Sequence, residues 1–155
     1  MHDRFIKLLA TGFGAGWSPV GPGTVGSALG VLYAVGLARC VASAWLYATV
    51  SALMILLAVR VTERAAALMG EKDPGCVVLD EIVAVPVAMA GLDTGWWTVA
   101  VAFIWFRLFD VWKPGLVGRV QSLPGGWGIV MDDVLAGVLA CLASHLTLGA
   151  WRWGA

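Results

Sequence analysis

Residues 77–89, VVLDEIVAVPVAM, place two adjacent carboxylates, Asp80 and Glu81, inside an otherwise apolar run. Desolvation opposes the ionisation of each, and each repels the other. Strict polar–apolar alternation is scarce here and along the whole chain, so the run reads as helix rather than strand. A helix from about Cys76 to Ala90 is followed by the turn GLDTG at 91–95 and a second apolar helix from Trp96 to Trp112. Folded back as an antiparallel hairpin, the pair brings the start of one helix beside the end of the other. Asp80 precedes the turn by about 11 residues and Asp110 follows it by about 15, which at 1.5 Å per residue offsets them axially by only about 6 Å. Both carboxylates belong to one end of the hairpin.

The rest of the chain fits the same architecture. Its 155 residues suffice for one compact domain, 1–155, and no linker or low-complexity tract divides them. Hydrophobic residues make up 60 % and charged residues 13 %, and the mean hydropathy of +0.86 points towards lipid. Uncharged runs cover residues 8–38, 40–59, 82–92, 94–106 and 134–151, and about 20 apolar residues cross a bilayer as helix. The first run is broken by GFGAGWSPVGPGT at 12–24, which cannot sustain a helix. A short amphipathic helix from about Arg4, a loop, and a helix from about Val25 to Ala38 result. The expectation is an all-α, membrane-associated, multihelical bundle of five or six helices. Trp17, Trp96, Trp97, Trp112, Trp127, Trp151 and Trp153 fall at run ends or in loops, as interfacial rings do. A soluble helical domain with an aromatic-rich core is the other reading of this composition.

Ten basic and ten acidic side chains cancel, and no basic tract exists, which excludes the electrostatics of a nucleic-acid binder. Cys40, Cys76 and Cys141 are odd in number and widely spaced, so they form neither a disulfide framework nor a zinc pattern and read as core filler in a reducing compartment. The N-terminus lacks a signal-peptide cleavage pattern.

Asp132 and Asp133 open the last helix, directly after the loop that follows Asp110, and so join the same end of the bundle. Asp93 falls in the opposite turn. Asp80, Glu81, Asp110, Asp132 and Asp133 together cannot stay ionised in a low-dielectric setting without neutralisation. Hard oxygen ligands without nearby Cys or His suit Mg²⁺. Each piece also has a plainer reading. The two acidic pairs could be solvated first turns of helices, and Arg107, Asp110 and Lys113 an intrahelical salt-bridge ladder. These readings must hold together at one end of one bundle, whereas intramembrane ionisable residues are functional by default.

The segment SPVGPGTVGS at 18–27 adds anion-binding potential, with Thr24 as N-cap of a helix whose free amides attract phosphate. Alone it could be a structural turn. With Arg107, Lys113 and a metal cluster it becomes a phosphate clamp.

Four segments carry a family resemblance: GWSPVGPGTVGS at 16–27, DPGCVVLDEIV at 73–83, FRLFDVWKP at 106–114 and GGWGIVMDDVLAG at 125–137. Together they resemble phosphatidylglycerophosphatase A, the bacterial lipid phosphatases that convert phosphatidylglycerol phosphate to phosphatidylglycerol. Ala84 stands where that pattern has a glycine, and Gly115-Leu116 where a second proline is usual. The resemblance implies a helical, Mg²⁺-dependent phosphomonoesterase of the inner membrane, with phosphatidylglycerol phosphate as substrate. It makes Asp80, Glu81, Asp110, Asp132 and Asp133 the acidic metal and catalytic residues, Lys113 and Arg107 the residues steadying the phosphate, and Pro22, Gly23 and Thr24 the substrate loop.

Only His2 and His145 exist, at a terminus and near the far end of the last helix, which argues against a phosphohistidine route. The expected route is in-line attack of water on phosphorus, with one carboxylate as base and Mg²⁺ stabilising the departing oxygen; a covalent Asp intermediate is the other option. Arg60, Arg64, Lys72, Lys113 and Arg119 lie towards the carboxylate end, with Arg39 and Arg152 towards the other, so the active end is expected to face the cytoplasm. The rival function is a small helical membrane transporter or ion-binding subunit whose carboxylates line a cation path. A path needs acids near mid-membrane, whereas these gather at one end.

Overall fold

The protein is described by a computed structural model covering residues 2–154, with side-chain surroundings given through Trp151. Among the described residues it is all-helical: α1 (His2–Ala10), α2 (Pro22–Cys40), α3 (Ala44–Met69), α4 (Leu79–Ala88), α5 (Trp96–Trp112), α6 (Leu116–Val120) and α7 (Gly126–Gly154), with a single 3-10 turn at Ala15–Trp17. The amphipathic first helix and the five-residue α6 supplement a main bundle of five.

α4 is the centre of the bundle. Val83, Ala84, Val85, Pro86 and Ala88 are all buried, and α2, α3, α5 and α7 pack round them. Close approach depends on small residues, which substitute for the missing hydrophobic drive between helices in lipid. On α2 a Cβ at Gly30 would come within 2.8 Å of Val85, and on α7 one at Gly137 within 2.9 Å of the Ala84 carbonyl. Phe106 of α5, with Ala102, Ala136 and Ala140, fills the remaining gap. Pro86 removes one intrahelical donor in α4, and the helix ends two residues later. The Pro86 carbonyl accepts a hydrogen bond from Tyr47 at 2.9 Å.

Three helices, Pro22–Cys40, Ala44–Met69 and Gly126–Trp151, are long and apolar enough to cross a membrane. Leu32, Leu53, Leu56, Leu57, Leu142 and Leu146 stand exposed on them. Exposed tryptophans mark both ends: Trp17, Trp112 and Trp127 at one, Trp45, Trp96 and Trp151 at the other. The Trp153 and Arg152 side chains lie outside the described ones.

Several boundaries differ from expectation. α2 begins three residues early because Gly21 takes a left-handed conformation and Pro22 follows at the first helical position. Thr24 is therefore inside the first turn and is not the N-cap. α7 begins at Gly126, so Asp132 and Asp133 lie at the end of its second turn rather than opening it. Gly126 packs so closely on the Val59 carbonyl of α3 that no side chain fits, and this contact lets a glycine-rich segment start a helix. The core-filler reading fails for Cys40, which is exposed at the end of α2; all three cysteines are free thiols.

Candidate active site

α2, α4 and α7 all start, and α3 and α5 end, on one side of the bundle. That topology brings Asp80 and Glu81 from α4, Asp110 from α5, and Asp132 and Asp133 from α7 to the walls of one cleft of about 160 Å³, joined by Gly23, Asp73 and Lys113. The five expected acids are 2–9 % exposed. The charges bearing on Asp133 are those of Asp80, Asp110 and Asp132, so the acids form one electrostatic group.

Two cations hold part of this group. Arg107 Nη1 donates to Glu81 Oε1 at 3.1 Å, to Asp110 Oδ2, and to Ser27 Oγ at 3.2 Å. Ser27 in turn donates to the Gly23 carbonyl at 2.8 Å. One guanidinium thus ties α5 to the first turn of α4 and the first two turns of α2. Lys113 takes a left-handed conformation at the end of α5, and from there its Nζ donates to Asp132 Oδ2. Burial lowers the Lys113 affinity for a proton, but the hydrogen bond to Asp132 and the charges of Asp132, Asp133 and Asp110 outweigh it and raise the pKa.

Compensation is incomplete. Burial, then the Asp110 charge, push the Glu81 carboxyl up to about 7 despite Arg107. Asp80 is raised by burial and by its neighbour Glu81. Asp80 Oδ1 and Glu81 Oε2 are buried and accept no hydrogen bond among the described residues. An unsatisfied buried carboxylate oxygen costs several kcal/mol unless a positive charge meets it. The donor set, hard oxygens with neither Cys nor His, fits a divalent cation such as Mg²⁺. The five acids line one cleft but do not form a preassembled ligand sphere. Among the described residues no three Asp, Glu, His or Cys side chains form a ready-made metal cluster, since Asp110 is drawn to Arg107 and Asp132 to Lys113.

Of the expected substrate loop, Gly23 lines the cleft. A Cβ there would overlap Glu81 Oε1, so only glycine lets α2 approach the carboxylate. Pro22 and Thr24 flank it in the first turn. Two residues escaped the sequence reading: Asp73, on the cleft wall, and the buried Ser27. Both lie at the ends of quoted segments, and polar character beside a glycine-rich or acidic motif was the available signal. His145 lies at the opposite end, its Nε2 3.1 Å from the Ala90 carbonyl, far from any phosphoryl chemistry.

The family model for Phosphatidylglycerophosphatase A matches residues 8–148. The chain is 37 % identical over 150 residues to phosphatidylglycerophosphatase A of Escherichia coli K12, covering 95 % of this chain and 86 % of the relative. It is 36 % identical over 139 residues to that of Haemophilus influenzae, covering 88 % and 85 %. A Bacteroides thetaiotaomicron protein carrying a provisional name as a phosphatidylinositol-3-phosphatase is 36 % identical over 152 residues, covering 94 % and 92 %. No solved structure matches the chain. With its acidic cleft, glycine-lined α2 and basic residues of α5 all inside the matched span, the chain belongs to the phosphatidylglycerophosphatase A family.

Proposed function

We propose that the protein hydrolyses the terminal phosphomonoester of phosphatidylglycerol phosphate, giving phosphatidylglycerol and phosphate. Family membership over residues 8–148 supports the reaction class, and the acidic cleft at one end of a membrane-spanning bundle is the observation that carries it. A lipid phosphate at the headgroup layer can enter such a cleft while its chains stay in the bilayer.

Asp80, Glu81, Asp110, Asp132 and Asp133, which line the cleft together, would hold Mg²⁺. When bound, the ion neutralises the carboxylates and stabilises charge developing on the phosphoryl and leaving oxygens. The chain's own residues do the rest. Arg107 fixes Glu81 and Asp110 in register and offers its remaining N–H groups to the phosphate. The free amides of the first turn of α2 add a second anion contact beside Gly23. A cleft carboxylate takes the proton of the attacking water, the P–O bond to glycerol breaks, and the proton passes to the departing glycerol oxygen. Lys113 orients Asp132 through their ion pair.

We place the protein in the bacterial inner membrane with this end towards the cytoplasm. Arg60, Arg64, Lys72, Lys113 and Arg119 cluster there by topology, in keeping with the positive-inside rule. Incubation of purified protein with phosphatidylglycerol phosphate should yield phosphatidylglycerol and inorganic phosphate one for one by mass spectrometry. Intact lipid, together with cation flux through liposomes carrying the protein, would replace this reading with the transporter.

A further inference from the structure

Beside the carboxylate cleft lies a second polar cavity of about 290 Å³, between the 70–75 loop and the α6–α7 connection. The two share Asp73 and Ile129 as lining residues. Lys72, Gln121 and Ser122 are among its lining residues. A Cβ on Gly128 would strike the carbonyls of Gln121 and Leu123, so the 121–123 turn lies directly on the α7 backbone, which sets the position of Gln121.

Two of these groups, the Lys72 ammonium and the Gln121 amide, are not consumed by the fold, whereas the Ser122 hydroxyl donates to the Arg119 carbonyl at 2.7 Å. Arg107 and Lys113 are engaged with carboxylates, whereas Lys72 forms no ion pair among the described residues. The Gln121 amide likewise has no hydrogen-bond partner there. A free cation and a free amide are the complement of an anionic diester and its attached polyol.

Resting on the phosphatase reading, we propose that this cavity binds the second phosphate of the substrate headgroup, the phosphodiester, with its glycerol. The monoester occupies the carboxylate cleft. At the junction the Asp73 carboxylate repels phosphate and accepts from the free glycerol hydroxyl. Lys72 then meets the diester, with the Gln121 amide donating to its oxygens. Phosphatidic acid, which has one phosphate directly on diacylglycerol, leaves the cavity empty.

Short-chain phosphatidylglycerol phosphate and short-chain phosphatidic acid, assayed in the same micelles, test this. The wild-type kcat/KM should favour the two-phosphate lipid by roughly ten- to a hundred-fold, the scale of one or two charge-assisted hydrogen bonds. Lys72→Ala and Gln121→Ala should each bring that ratio down towards one, mainly through KM for the two-phosphate lipid, and Lys72→Arg should restore it. A ratio unmoved by both variants overturns the assignment. Calorimetric titration with soluble sn-glycero-3-phosphoglycerol, which has the diester and no monoester, separates the two levels. Binding lost in Lys72→Ala supports the cavity even in a protein without turnover, whose inactivity would count against the phosphatase reading alone. Turnover with no binding of the diester to wild type overturns the cavity and leaves the phosphatase standing.

Discussion

The two ends of α4 are framed by the same packed helices and meet opposite electrostatic conditions. At its first turn Asp80 and Glu81 are buried with two oxygens that accept no hydrogen bond, and the nearby cations are shared among more carboxylates than they can neutralise. Just past its last turn the Ala90 carbonyl receives Cys141 Sγ at 3.4 Å and faces His145 Nε2 at 3.1 Å. Beyond it lies an apolar cavity of about 580 Å³ lined by Tyr47, Ser51, Ile55 and Met89. Small-residue packing builds both ends equally well. The groups left short of partners are acidic at the first end and a neutral hydroxyl, Ser51, at the other, so only at the first would binding a cation repay the desolvation of charge, and we assign the chemistry to that end.

Substitutions at the two ends should therefore differ in kind. The largest effect is expected for Asp133→Asn, which keeps shape and removes a charge: turnover should fall roughly 10³-fold, the scale for a group acting on transition-state charge, with helical content by circular dichroism unchanged. Near-wild-type phosphate release would remove Asp133 from the site. Gly23→Ala comes next. Its methyl group displaces the Glu81 carboxylate, and a displacement of about 1 Å costs about 10²-fold in kcat. Arg107→Lys loses the shared contact to Glu81, Asp110 and Ser27 and should raise KM about ten-fold; an unchanged KM would make the guanidinium replaceable by any cation.

At the other end the same assays should be nearly silent. His145→Ala leaves the Cys141 contact to Ala90 in place and should cost less than about 1 kcal/mol in a thermal melt, with turnover retained. A large loss of turnover would mean that the ends are coupled. Smallest of all is Ser51→Ala, which deletes a buried hydroxyl without a partner; stability should change by less than about 0.5 kcal/mol or rise slightly.

How much of this was legible in the sequence depends on how local its cause is. α5 runs from Trp96 to Trp112 as expected, because Gly95 before it and Lys113-Pro114 after it punctuate the chain locally. The juxtaposition of Asp80 with Asp110 followed from helix rise and one short turn, and both line the same cleft. The start of α7 was not legible, since Gly126 owes its place to the Val59 carbonyl on another helix. Nor was the role of Arg107 as a tie between three helices, which needs Ser27 and Glu81 to arrive from elements 80 and 26 residues away. α6 escaped notice because the five residues LVGRV carry no period of their own. Spacing along one hairpin can be counted, whereas contacts between helices depend on which small residues let backbones touch.

The most direct test of the account concerns the unmet negative charge of the carboxylate end. Protein purified in detergent and stripped with chelator should release no phosphate from phosphatidylglycerol phosphate, and titrating Mg²⁺ back should restore full release in proportion to site occupancy. Undiminished release in the presence of excess chelator would contradict it.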